Sequence, residues 1–402
     1  MKKIILFSMV ALLAISCTSG KKSEKIQKEF DEIAQQVKQE FAPDRRVKTF
    51  EPSVVMPDDG NGSLILKGST TEAAAKEALL KALLEKNIEV LDSMVILPDP
   101  SLGDKTFGIT AQSVINFRYG SGYSNESATQ TLMGTPLRVL EKRGGWIRAI
   151  TPEGYIAWVT SGSIQPMNQS EYSDWTSAAK LIITTHYTLF RESPSEESAV
   201  VSDGVWGNIV RMDGTSGSYY KVLLPNGKSA FLLKAHAQDF AKWVDSRNPT
   251  AENILATAKQ FLGFPYMWGG TSIKAVDCSG FTKSVFFFNG VILERDASQQ
   301  ALTGEEVDIS NGFENLLPGD LLFFGSKATQ ERKERITHVG IHISGGEFIH
   351  SATSVRVNSL IPDSSNYYEG ADRLVKAKRI LTRVDQESDI ISIKKHPWYF
   401  IN

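Results

Sequence analysis

Two residue types in this 402-residue chain are scarce enough to mark chemistry: there are two cysteines and six histidines. Cys278 lies in "AVDCSGFTKSVFFFNG", preceded by Asp277, followed by Ser279 and Gly280, and continued by an apolar run through Phe288. The run reads as a helix that begins at the cysteine. Unpaired N–H groups at a helix N-terminus favour a thiolate, and the Cys278 amide is left free to donate to a developing oxyanion. A free cysteine is equally often a small buried hydrophobe. The helix position alone leaves both readings open.

The histidines decide between them. His338, His342 and His350 fall within thirteen residues. In "HVGIHI", His338, Gly340 and His342 share one face of a strand while Val339, Ile341 and Ile343 share the other. "SGG" then makes a tight turn and "EFIHS" returns antiparallel, which brings His350 beside one of the earlier two histidines. A base whose tautomer and orientation are held by a second polar residue needs this arrangement. Together with a cysteine at a helix start, it points to a thiol nucleophile. Cys278, His338, His342 and His350 are also acceptable zinc ligands, although no close-spaced ligand pair accompanies the cysteine.

The elements that must position these residues follow from texture along the chain. An apolar share of 41% with 22% charged residues describes folded material, and the length suits two to four domains. A net charge of −2 argues against a nucleic-acid partner, which needs a concentrated basic surface. Lys2 and Lys3 precede an apolar run from Ile4 to Ile15, a secretory signal too short to span a membrane. Residues 18–105 read as a helical tether or docking region. Ile26, Phe30, Ile33, Val37 and Phe41 form one face of a helix that stops before Pro43, and "TTEAAAKEALLKALLEKN" reads as a second helix.

Short β-branched and aromatic runs broken by turn residues then indicate all-β structure. They contain a repeat: "WIRAITPEGYIAWV" aligns without gaps to "YYKVLLPNGKSAFL", with Pro152 and Gly154 in register with Pro225 and Gly227. Two copies are too few for a solenoid and imply sibling domains at 106–170 and 178–240. Over 250–385, a helix from Ala251 capped by Thr250 precedes the cysteine helix and the strands "DLLFFG", "THVGIHIS" and "EFIHS", an α+β order.

Three resemblances sharpen this reading. The ending "LLAISC" resembles a bacterial lipoprotein signal spanning 1–17, which implies that Cys17 is lipidated and that Cys278 has no disulfide partner within the chain. The repeated domains resemble bacterial SH3 domains. The ordered segments "FPYMWGG", "DCSGF", "LPGDLLFF", "HVGIHI" and "FIHS" resemble the NlpC/P60 cysteine peptidases of the papain-like class. The implied fold is multidomain: a papain-like α+β catalytic domain preceded by two small SH3-like barrels and an N-terminal helical region. The implied roles are Cys278 as nucleophile, His338 as general base and His350 as orienting group, with Tyr266 near the thiol. His342 stands where the family usually has an apolar or aromatic residue and is left out of the triad.

The reaction implied is hydrolysis of the amide between γ-D-glutamate and a diamino acid in peptidoglycan stem peptides, with no metal or other cofactor. Tandem SH3-like domains together with "ERDASQQ" resemble the dipeptidyl-peptidase VI subgroup, which acts on freed muropeptides bearing an exposed L-Ala amine. That resemblance implies that Asp296 holds the amine with Ser279 nearby, and that the first SH3-like domain closes the pocket through Glu126 and Tyr155. The expected setting is the cell envelope, lipid-anchored at the periplasmic face of the outer membrane. The expected partners are peptidoglycan-derived peptides and, through the lipid, the membrane; nothing in the sequence indicates an oligomeric state. Competing readings are an endopeptidase acting on intact wall and a non-catalytic wall-binding adaptor. Adaptors of this kind typically lose the cysteine or a histidine, and this chain keeps all three.

Overall fold

The computed structural model describes residues 24–55 and 63–400, so the signal stretch and Cys17 lie outside the described residues. The chain divides into two compact units, one ending at Leu102 and one beginning at Gly103.

In the first unit, the helix at residues 24–41 buries Phe30, Ile33 and Val37, with Ile26 and Phe41 partly covered, which is the stripe its spacing predicts. A second helix, Ala73–Glu85, adds Leu79 and Leu83 to the same core. The region is nevertheless more than a helical tether. Strands Phe50–Val55 and Leu64–Thr70 pair antiparallel, and Val90–Asp92 and Val95–Ile96 run parallel to the second of them. Sequence reading missed this sheet because "LILKGST" is diluted by Lys, Gly and Ser, and strands of three and two residues are too short to display a period of two. Among the described residues, no helix is long and apolar enough to cross a membrane.

The second unit opens with two seven-stranded sheets, built from strands between Phe107 and Met167 and between Lys180 and Asp239. The sequence repeat is a structural one. Hairpin Trp146–Ile150/Ile156–Thr160 in the first barrel matches Tyr219–Leu223/Ser229–Leu233 in the second. Both turns close identically: Gly154 N donates to Thr151 O and Gly227 N to Leu224 O, each at 2.9 Å. Both glycines sit at φ +83°, a left-handed conformation that explains why the Pro-x-Gly pattern persists in both copies. The barrels are joined backbone to backbone, Ile209 N donating to Met133 O at 2.8 Å.

The remaining domain sets a six-stranded antiparallel sheet against the cysteine helix, Cys278–Phe288. Strand order is Glu305–Val307, Leu374–Arg379, Leu321–Ser326, Arg335–Ser344, Glu347–Ser351, Val355–Ser359. Phe281 and Val285 of the helix join Leu321, Phe323, Val339, Ile341 and Ile349 in one core. Helix Ala251–Lys259 packs Ile254 and Ala258 into it and is capped by Thr250 Oγ1, which accepts from Asn253 N at 3.2 Å. The second barrel braces the far end of the cysteine helix: Trp206 stacks on Phe288 with ring centroids 3.7 Å apart. The C-terminal segment returns to the first barrel, where Trp398 lies under the Arg138 guanidinium at 4.4 Å and His396 Nε2 lies 3.0 Å from Pro152 O. The first barrel is thereby tied to the domain that carries the cysteine.

Candidate active site

Asp277 builds the start of the cysteine helix. Its Oδ1 accepts from Gly280 N at 2.7 Å as an N-cap, and its Oδ2 accepts from Gly269 N at 2.9 Å, tying down the "FPYMWGG" loop. Both oxygens also receive the guanidinium of Arg295, at 3.1 and 2.5 Å. Arg295 is 1% exposed, and it further donates to Ser279 Oγ and to Thr129 Oγ1 of the first barrel, each at 3.0 Å. This bidentate pair binds the cysteine helix, the loop before it and the barrel into one rigid corner. Ser279, expected near the substrate amine, takes part in this network.

Cys278 is 8% exposed, and the amides of Ser279 and Val339 face its sulfur. The Val339 amide places the thiol against the strand residue that follows His338. Register pairs Ile341 with Ile349 and His342 with Phe348, which sets His350 opposite Gly340 and diagonal to His338. A Cβ on Gly340 would lie 2.6 Å from Phe348 Cδ2 and 3.1 Å from the His350 Cβ, so glycine is what lets the His350 side chain cross to its partner. The two imidazoles meet with His338 Nε2 2.7 Å from His350 Nδ1. Register leaves His350 diagonal to both earlier histidines, and the side-chain bonds single out His338. His342 turns its Nδ1 to Leu317 O at 3.0 Å and takes no part. Among the described residues, no three His, Cys, Asp or Glu side chains converge as a metal cluster, and His350 spends both ring nitrogens on His338 and Asn358.

The electrostatics depart from the sequence expectation in one respect. Burial, then the neighbouring Asp277 carboxylate, push the Cys278 thiol up to about 12. The helix N-terminus and the two facing amides oppose this without overcoming it, because the carboxylate that caps the helix is itself next to the sulfur. Burial against Phe324, Phe348 and Tyr368 lowers both imidazoles. His338 falls to about 3, with His350 and Arg373 adding to the effect, and His350 falls to about 4. The resting site is therefore a neutral thiol beside neutral imidazoles, and His338 is unprotonated and ready to accept a proton.

Tyr266 is half-buried and close enough to Cys278 and Asp277 for their charges, after burial, to raise its hydroxyl pKa. Asp296 caps the short helix Ala297–Gln300, and its Oδ2 accepts from Tyr155 Oη of the first barrel at 3.2 Å. Tyr155 is fully buried and is joined at 2.9 Å by Tyr119 Oη. Glu126 is exposed and lies near enough to influence Tyr119. Tyr119 and Arg295 are the residues sequence reading missed. Arg295 was visible only as a neighbour of Asp296, and Tyr119 only as a departure from the second repeat, which has Glu192 at that position.

With the geometry in place, comparison with known proteins gives the class. The profile described as "NlpC/P60 family" matches residues 263–378, and that described as "Bacterial dipeptidyl-peptidase Sh3 domain" matches residues 120–164. The chain is 34% identical over 264 residues to the gamma-D-glutamyl-L-lysine dipeptidyl-peptidase of Bacillus cereus (strain ATCC 10987 / NRS 248), covering 62% of this chain and 76% of that relative. It is 30% identical over 260 residues to the Bacillus subtilis (strain 168) protein of the same name, covering 63% and 81%. The solved structure of an NlpC/P60 family protein from Bacillus cereus ATCC 10987 aligns with a TM-score of 0.57 at 25% identity, covering 68% of this chain and 99% of that one. The chain belongs to the NlpC/P60 family of cysteine peptidases.

Three outcomes follow from the site. Arg295→Met leaves Asp277 buried without its countercharge and should cost about 3 to 5 kcal/mol of stability, measured by denaturant unfolding, with loss of turnover. Because the thiol is raised, iodoacetamide alkylation of Cys278 in the free protein should climb through roughly pH 8 to 11 without a plateau. Because His338 is lowered, kcat/KM should hold its value as pH falls to about 5. A thiolate plateau near neutrality would contradict the neutral resting pair.

Proposed function

We propose that this protein hydrolyses the γ-D-glutamyl–diamino acid amide of peptidoglycan stem peptides and prefers freed muropeptides whose N-terminal L-Ala amine is exposed. The observation that carries the preference is the Tyr155–Asp296 hydrogen bond, where a barrel hydroxyl and a catalytic-domain carboxylate meet at 3.2 Å. A carboxylate oriented by a barrel hydroxyl suits an α-ammonium group, which it can hold by a charge-assisted hydrogen bond. The two dipeptidyl-peptidases named above support the same substrate class.

The chemistry follows from the neutral resting pair. As the γ-carbonyl carbon meets Sγ, the thiol proton passes to the free nitrogen of His338 and the C–S bond forms. The Cys278 amide steadies the oxyanion, with Tyr266 placed nearby to assist. His338 then returns the proton to the departing amine of the diamino acid, and the C–N bond breaks to leave a thioester. His338 next takes a proton from water, whose oxygen attacks the thioester carbonyl. Collapse releases the dipeptide acid and restores the thiol.

The signal-like N-terminus extends the proposal to an envelope protein held by lipid on Cys17 at the periplasmic face of the outer membrane. Radiolabelled palmitate should enter the wild type and not Cys17→Ala, which should fractionate as soluble; equal labelling of both would remove the anchor.

For substrate choice, N-acetylating the L-Ala of L-Ala-γ-D-Glu-diaminopimelate, or changing Asp296→Asn, should lower kcat/KM roughly thirty- to a thousandfold while leaving Cys278 alkylation nearly unchanged. Equal turnover of free and acetylated tripeptide, or release of soluble fragments from purified sacculi at a comparable rate, would return the protein to the general endopeptidases.

A further inference from the structure

The hydrogen bonds around His350 continue past the two histidines. His350 Nε2 lies 2.8 Å from Asn358 Oδ1, and Asn358 Nδ2 donates to the backbone carbonyl of Asn366, also at 2.8 Å. A peptide carbonyl only accepts, so the Asn358 amide must turn its NH2 group to Asn366 and its oxygen to His350. An amide oxygen also only accepts. His350 therefore carries its proton on Nε2 and presents a lone pair at Nδ1. His338 Nε2, 2.7 Å from that lone pair, must then be the donor, which leaves His338 Nδ1 bare. That bare nitrogen is the base the reaction needs.

Nothing in the His338–His350 contact itself selects this direction. With both protons moved, Nδ1–H of His350 would donate to His338 Nε2 across the same distance, and His338 would offer a proton instead of a lone pair to the thiol. Since both imidazoles are neutral near pH 7, the tautomer, and not the charge, decides whether a base is present.

We propose that Asn358 is a positioning residue for catalysis: oriented by the Asn366 carbonyl, its amide fixes the tautomer of His350 and, through it, that of His338.

A neutral acceptor suits this place. A carboxylate there would stabilise a protonated His350 and put an imidazolium beside the base. The other groups around the pair act in the same sense. Arg356 and Arg373 oppose protonation, and Tyr368, whose hydroxyl receives Arg373 at 3.4 Å, packs its ring on both imidazoles without accepting from either. Glu347 meets this region only through the Asn366 side chain, at 3.2 Å. The inference rests on the hydrolase reading, with Cys278 and His338 as the reacting pair, and not on which stem peptide is cut.

The test uses the whole chain labelled with 15N-histidine, as wild type, Asn358→Leu and Asn358→Asp. In wild type at neutral pH, both His338 and His350 should show a protonated Nε2 and an unprotonated Nδ1. Asn358→Leu removes the acceptor, so the tautomers should mix and kcat should fall about 10- to 100-fold with KM nearly unchanged, a smaller loss than the roughly ten-thousandfold cost of imposing the wrong tautomer on the base directly. Asn358→Asp keeps the acceptor; it should retain the wild-type tautomers and most of kcat while moving the acid limb of kcat/KM to higher pH. The proposal is overturned by an Asn358→Leu protein that keeps the wild-type tautomers, or keeps kcat within about twofold. It is equally overturned by an Asn358→Asp protein whose acid limb does not move, which decides the matter should the leucine variant not fold. If wild type cleaves none of the peptides, the substrate reading fails while the nitrogen shifts still report on Asn358.

Discussion

The structure around the cysteine depends on one buried ion pair. A guanidinium and a carboxylate removed from water cost several kcal/mol each in lost hydration unless every donor and acceptor is used. Arg295 and Asp277 meet that condition. Asp277 accepts from two backbone amides as well as from the guanidinium, and Arg295 also reaches Ser279 and Thr129. The geometry that satisfies the pair is also the geometry of the site. It sets the first turn of the cysteine helix, closes the loop that carries Tyr266, anchors a strand of the first barrel and presents Asp296 as the next residue. Thr271 repeats the connection a short way off, its amide and hydroxyl both bonded to Gln130 of the barrel.

The same carboxylate governs the nucleophile. A helix N-terminus ordinarily favours a thiolate, but here its cap is an anion one residue from the sulfur, in a site from which water is excluded. Holding the thiol protonated until a substrate carbonyl arrives leaves a resting cysteine of low reactivity toward oxidants, which attack thiolates. Catalysis then relies on a base that is unprotonated beforehand, and the packing of Phe324, Phe348 and Tyr368 around the histidines supplies that condition by excluding water.

Duplication of the barrel separated two tasks. Arg118 and Arg191 occupy matching places, each donating to a loop carbonyl at 2.7 Å, and the two Pro-x-Gly turns close with matching bonds. The residues that follow differ. The first copy places Tyr119 and Tyr155 where the second has Glu192 and the exposed Lys228. The first barrel thus turns a tyrosine pair toward Asp296, while the second turns Trp206 against the end of the cysteine helix. One copy meets the catalytic domain at Asp296 and the other supports the element that carries the nucleophile.

The sequence by itself determined what local periodicity and short motifs encode. Alternation in "HVGIHI" put His338 and His342 on one face, the turn brought back His350, and an apolar run after Asp277 marked the cysteine helix. The repeat and its glycines marked two barrels, because a left-handed turn leaves the same residue behind each time. Tertiary structure decided what depends on groups far apart in the chain. Which histidine met His350 was set by side-chain partners on other elements, since register leaves both diagonal to it and His342 turns to Leu317 O. The thiol stayed protonated because burial and a capping carboxylate act together. Tyr119, Arg295 and Asn358 gained their places from partners on other elements, and the N-terminal sheet formed from strands diluted by polar residues or too short to show a period. Hydrogen-bond direction and desolvation arise only when those elements close on one another, so no spacing of residues along the chain records them.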